Sequence, residues 1–88
     1  MIEVQKQDEN TFLVRVTEGG GSSSHTVTLT DDYYQKLSGG KVDKETLIER
    51  SFEFLLERES KESILGRFEL PVIGRYFPEY EKTIGKRL

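Results

Sequence analysis

Cysteine is missing from this 88-residue chain, and alanine is missing with it. Without cysteine there is no disulfide framework and no thiol chemistry. Histidine occurs once, at 25, and proline twice, at 71 and 78. A single histidine with no cysteine beside it leaves a zinc site to carboxylates that no spacing marks out, so neither metal nor cofactor is expected. The N-terminus has no charged leader followed by an apolar run, and nothing approaches the roughly 18 apolar residues of a membrane span. A cytoplasmic setting away from membranes is the default expectation. A strongly basic surface, the usual footprint of nucleic-acid binding, is also missing. The net charge is −3, with two basic groups against four acidic in residues 1–30, five against eight in 31–59, and six against four in 60–88.

What is present fits one small domain. The chain is 34% hydrophobic and 33% charged, low in apolar content but too rich in Phe, Tyr, Leu and Val for a disordered segment. A domain of this size has a thin core. The expected unit is residues 1–80, with 81–88 as a frayed, polar tail ending in Lys86-Arg87.

The strongest periodic signal is residues 44–59, KETLIERSFEFLLERE. At about 100° per residue, Leu47, Ile48, Ser51, Phe52, Leu55 and Leu56 cover an arc of about 180°, and Phe54 widens it to about 200°. A helix resting on one sheet needs little more than about 100°, so a second apolar neighbour is implied. That excess, with the thin core, makes a homodimer attractive. Asp43 suits the N-cap, with Glu45 in the first turn. The acidic row Glu45, Glu49, Glu53 and Glu57 reads as a solvated outer face.

Before this helix, Ile2 to Gln7, Thr11 to Thr17 and His25 to Thr30 each alternate apolar and polar residues. They predict three antiparallel strands with one apolar face. Asp8-Glu9-Asn10 is a turn, and EGGGSSS from Glu18 reads as a flexible hairpin loop, mobile over 19–24. Thr30 caps a short helix carrying Tyr33, Tyr34 and Leu37, which Gly39-Gly40 terminates. The two helices then form a hairpin. After them, KESILGRF and PVIGRYF read as further short helices, the second opened by Pro71 and ended by Pro78. The fold class is therefore α+β, a three-stranded antiparallel meander followed by a helical hairpin and short C-terminal helices. Phe12, Val14, Val27, Leu29, Phe52 and Leu55 are the expected core.

Few motifs carry chemistry. Gly19-Gly20-Gly21 lacks both phosphate-loop spacings and a following helix. Gly39, Gly40, Lys41 and Lys44 precede a helix N-terminus and form a candidate anion site, although a Gly-Gly helix end explains the glycines without a ligand. His25 shares the inner strand face with Val27 and Leu29, which fits a structural role. The serines 22–24 fall in the expected loop, unsuited to holding a nucleophile. No enzymatic reaction is indicated. Phe54, Tyr76 and Phe77 are the candidate interaction face.

Residues 26–59, an alternating strand, a short helix, a Gly-containing turn and a longer amphipathic helix, resemble the ribbon-helix-helix family of DNA-binding regulators and antitoxins. The resemblance implies that the strand pairs with its mate across a two-fold axis and that Thr26, Thr28 and Thr30 touch bases. The whole chain is similar to short bacterial proteins of unassigned function, through HTVTL, YYQKLSGGK, SFEFLLERE and RYFPEYE. The leading expectation is a non-enzymatic interaction or regulatory module whose partner is itself or another protein. A ribbon-helix-helix-like regulator is the alternative, and a small-ligand or enzymatic domain comes third. Specific nucleic-acid binding is not expected, because Asp31 and Asp32 flank the reading strand.

Overall fold

Alternation along the first third of the chain becomes a meander in the computed structural model, which describes residues 1–88. Strands β1 (Ile2–Lys6), β2 (Thr11–Glu18) and β3 (Gly21–Thr28) pair antiparallel in sequence order. Phe12, Val14, Val16 and Val27 point to one face and are fully buried. The first turn is fixed by Asp8, whose Oδ1 accepts hydrogen bonds from the Asn10 and Thr11 amides at 3.0 and 2.9 Å. This is the local chemistry that makes Asp a turn residue.

The β2–β3 connection corrects the expected seven-residue loop. Glu18 lies opposite Gly21, so only Gly19 and Gly20 remain outside the ladder. Both have positive φ, 63° and 81°, as a type I′ hairpin turn requires. Ser22, Ser23 and Ser24 are paired with Thr17, Val16 and Arg15. Residues 21–24 are strand because β2 supplies their backbone partners, which composition alone does not reveal.

A second correction concerns KESILGRF. Residues Lys61–Ser63 form a 3-10 turn, and Arg67–Glu69 form β4, which joins β3 in parallel. The sheet therefore has four strands in the order β1-β2-β3-β4, with one mixed pairing. Phe68 and Leu70 are buried while Arg67 and Glu69 are exposed, a period of two rather than 3.6.

Two helices follow the meander, α1 (Asp31–Ser38) and α2 (Lys44–Leu56). Their caps are those expected. The Thr30 hydroxyl accepts from the Tyr33 amide at 3.3 Å, the Asp43 carboxylate accepts from the Thr46 amide at 2.8 Å, and Gly39 closes α1 at φ 60°. Each such side-chain cap contributes on the order of 1 kcal/mol. All six expected core residues are buried.

The second neighbour implied by the wide arc of α2 comes from the same chain. Helix α3 (Val72–Tyr76) and helix α4 (Tyr80–Gly85) follow β4. Tyr80 and Ile84 are fully buried, and Arg87 reaches Glu57 at 2.6 Å. Residues 81–88, expected to fray, are instead placed as most of α4 and a closing turn. The cause is the i,i+4 pair Tyr80 and Ile84, which gives this otherwise polar segment an apolar face. A single cluster of 16 buried residues joins the sheet, α2, β4, α3 and α4.

Candidate functional site

An apolar groove of about 420 Å³ lies between the C-terminal end of α2, the 3-10 turn, β4 and α3. Leu55, Ile64, Phe68 and Ile73 form its inner wall, and Glu59 and Ser63 are its two polar lining residues. Leu65 and Tyr76 stand at the mouth, 46% and 66% exposed. Only Met1 joins them as a large exposed hydrophobic residue. Two of three such residues therefore flank one groove.

Of the three expected interaction residues, Tyr76 and Phe77 line this groove. Phe54 does not. It is fully buried, edge-on to the rings of Phe77 and Tyr80 at 5.9 and 5.2 Å, with the Arg58 guanidinium stacked over it at 3.6 Å. Burial of such a ring stabilises the fold by about 1.5–3 kcal/mol, and that contribution belongs to the core. Leu65 lies within KESILGRF, where a helical period carries no signal for a residue exposed at a groove.

The residues of the expected anion site have other partners. The Gly39 amide donates to Gln35 O at 2.8 Å, the Gly40 amide to Ser38 Oγ at 3.1 Å, and the Lys41 amide to Ser38 O at 3.1 Å. Lys44 Nζ pairs with Asp31 and donates to Glu9 O and Asn10 Oδ1 at 3.2 and 3.3 Å. The Asp43 carboxylate already occupies the start of α2, where an incoming anion would have to compete with it. Only the exposed Lys41 remains without a side-chain partner.

His25 turns out to be a strut. Its Nδ1 lies 2.8 Å from the Leu65 carbonyl, to which it donates, and its Nε2 lies 2.8 Å from Ser23 Oγ. The Phe52 ring packs beside it at 5.4 Å. A nucleophile, a base and an orienting carbonyl are thus in hydrogen-bonded sequence, the pattern of an activated serine. Neither Ser23 nor His25 lines either cavity of the molecule. The pair instead ties β3 to the loop that leads into β4.

Elsewhere the titratable groups serve the C-terminal clasp. The hydrogen bond from Arg87 holds the Glu57 carboxyl below its ordinary range. Burial, followed by the hydrogen bond to Glu81, pushes the Tyr33 hydroxyl above its usual value. No group of three or more metal-ligating side chains converges, and no helix of the chain is long and apolar enough to cross a membrane.

The strand that the ribbon-helix-helix resemblance would pair across a two-fold axis is β3. It is interior, hydrogen-bonded to β2 on one edge and β4 on the other. Over Thr26–Thr28 it has no free edge to offer a second copy. Neither a scan against protein-family models nor comparison with curated proteins and solved structures finds a match for this chain.

Proposed function

We propose that this protein is a small non-enzymatic interaction module that associates with a second copy of itself through the groove beside β4. The observation that supports this most is the placement of Leu65 and Tyr76, exposed at the mouth of an apolar groove whose walls are Leu55, Ile64, Phe68 and Ile73. Contiguous apolar surface with a polar rim is what an association site requires, and isolated exposed hydrophobic residues are not. The groove has apolar walls and two polar residues, which suits side-chain anchoring better than the binding of a charged metabolite.

Sedimentation velocity over a concentration series tests this. Dimers are expected at the high end of the series for the parent chain. Leu65→Asp and Tyr76→Asp should each abolish them while leaving the melting curve close to the parent's at concentrations where the parent is monomeric, because both side chains are exposed. A parent chain that sediments as a monomer throughout would overturn the proposal.

A further inference from the structure

The edge strand β4 specifies how two copies would meet. In β4 the groups turned toward β3 are those of the even-numbered residues. The Thr26 amide donates to the Gly66 carbonyl at 2.8 Å, and the Leu70 amide donates to the Thr28 carbonyl at 2.9 Å. Backbone direction alternates along a strand, so the N–H and C=O groups of Arg67 and Glu69 point away from the sheet. β4 is the last strand in the order, and no further strand covers it. Gly66 precedes this short free edge, and Pro71, which has no N–H, follows it.

The sequence of the edge is Arg67-Phe68-Glu69, which is complementary to itself when reversed. We propose that two copies pair β4 against β4, antiparallel about a two-fold axis at Phe68, into one continuous eight-stranded sheet. Arg67 of one copy then lies opposite Glu69 of the other, and Glu69 opposite Arg67. The outward N–H and C=O groups of these residues are the ones that close a hydrogen-bonded antiparallel pair. Their side chains share the open face of the sheet, at about 5 Å between Cβ atoms. Neither side chain is committed within the chain: both are exposed, and neither takes part in any of its hydrogen bonds or ion pairs. Phe68 meets its own copy on the groove side, where Leu65 and Tyr76 supply the apolar contact that three paired residues alone would lack. The other free edge, β1, has no such match. Reversal about Val4 sets Glu3 opposite Gln5 and Ile2 opposite Lys6, with no ion pair.

This geometry rests on the self-association proposed above, and charge reversal separates the two. Arg67→Glu puts Glu opposite Glu at two symmetry-related places, and Glu69→Arg puts Arg opposite Arg. Each single variant should weaken dimerisation roughly tenfold at low salt, because like charges directly opposite are repulsive. The double variant R67E/E69R restores opposite charges and should return close to the parent value. An equimolar mixture of the two single variants should form a mixed dimer, since one carries two acids at the edge and the other two bases. Simple net-charge repulsion predicts otherwise: E69R brings the acidic chain toward neutrality and would then strengthen association. If the parent dimerises, the Tyr76→Asp variant does not, and all three charge variants behave as the parent, the β4 pairing is overturned while groove-mediated self-association stands. If E69R strengthens dimerisation, the pairing is overturned as well. A monomeric parent overturns both.

Discussion

Removing Ser51 should harm this protein more than removing the hydroxyl it binds, and removing both should be milder than removing Ser51 alone. Ser51 lies in the middle of the apolar arc of α2, fully buried. Its hydroxyl donates to the Leu47 carbonyl at 2.8 Å and lies 2.6 Å from the Tyr80 hydroxyl. Since its one proton is committed to Leu47, the Tyr80 hydroxyl must be the donor. Ser51→Ala therefore leaves a donor in the core with no acceptor, at roughly 1–3 kcal/mol. The better helix propensity of Ala offsets up to about 0.5 kcal/mol of this. Tyr80→Phe orphans nothing, because Ser51 still donates to Leu47, and it should cost only about 0.5–1.5 kcal/mol. In the double variant the stranded donor is gone, so stability should rise relative to Ser51→Ala, with a coupling of about 1 kcal/mol. Urea unfolding at one fixed protein concentration reads this directly, and thermal melts should separate by about 4–8 °C per kcal/mol. The same tyrosine adds a pH signature. Burial raises its pKa in the folded state, so its stabilising share is present below the ordinary tyrosine value of about 10 and is lost as pH rises above it. Tyr80→Phe should flatten that alkaline limb. Strictly additive losses, with the double variant below Ser51→Ala, would refute the assigned hydrogen-bond direction.

Two further outcomes follow from the turns and caps. Replacing Gly19-Gly20 by Asn-Gly keeps both positive-φ positions acceptable and should hold or raise the melting temperature, whereas Ala-Ala should lower it. Amide exchange at Ser23, whose N–H faces Val16 of β2, should be slow in the parent, and fast exchange there would restore the mobile loop. Asp43→Ala should cost about 1 kcal/mol at neutral pH through loss of the α2 cap. Its hydrogen bonds to Thr46 depress the Asp43 pKa, so the parent's advantage exists above the ordinary value near 4 and shrinks as pH falls through the lower folded value. A gap between parent and variant that is unchanged down to about pH 2 would contradict the cap.

Features set by neighbours in sequence were legible, and those set by partners far along the chain were not. Thr30, Gly39 and Asp43 could be placed because a cap is a bond between a side chain and an amide three residues away, or a φ that glycine tolerates. The serines 22–24 looked mobile because their composition carries no strand preference; what orders them is β2, whose apolar residues lie several positions earlier. β4 was misread for a different reason. Ile64, Leu65 and Phe68 fit a helical period as well as a broken alternation, and short apolar runs cannot be assigned by period alone. For that reason Leu65 falls on an expected helical apolar side, whereas Tyr76 and Phe77, candidates for an interaction face, line the groove. Phe54 was named because it widens the helical arc, without knowledge of what lay across from it.

The position of Phe54 changes where a second copy can be sought. The expected homodimer rested on an arc of α2 too wide for one sheet, which would have made α2 the interface and the lone monomer incomplete. Tyr80, Phe77 and Arg58 close that arc from within the chain. An interface on α2 would require α4 to leave, exposing Tyr80 and Ile84, a loss of about 1.5–3 kcal/mol for each large side chain. What stays uncovered is the edge of the sheet, where backbone groups of Arg67 and Glu69 face solvent beside Leu65 and Tyr76. Edge pairing leaves each core intact on separation, so a dimer built this way is a reversible one between folded chains, with affinity set by a few side chains at one seam. Chains that use an edge in this way must still avoid endless pairing. In the proposed pairing the three-residue length of β4, the proline after it and the two-fold charge match would restrict the edge to a single partner, whereas β1 against β4 would propagate head to tail without closing.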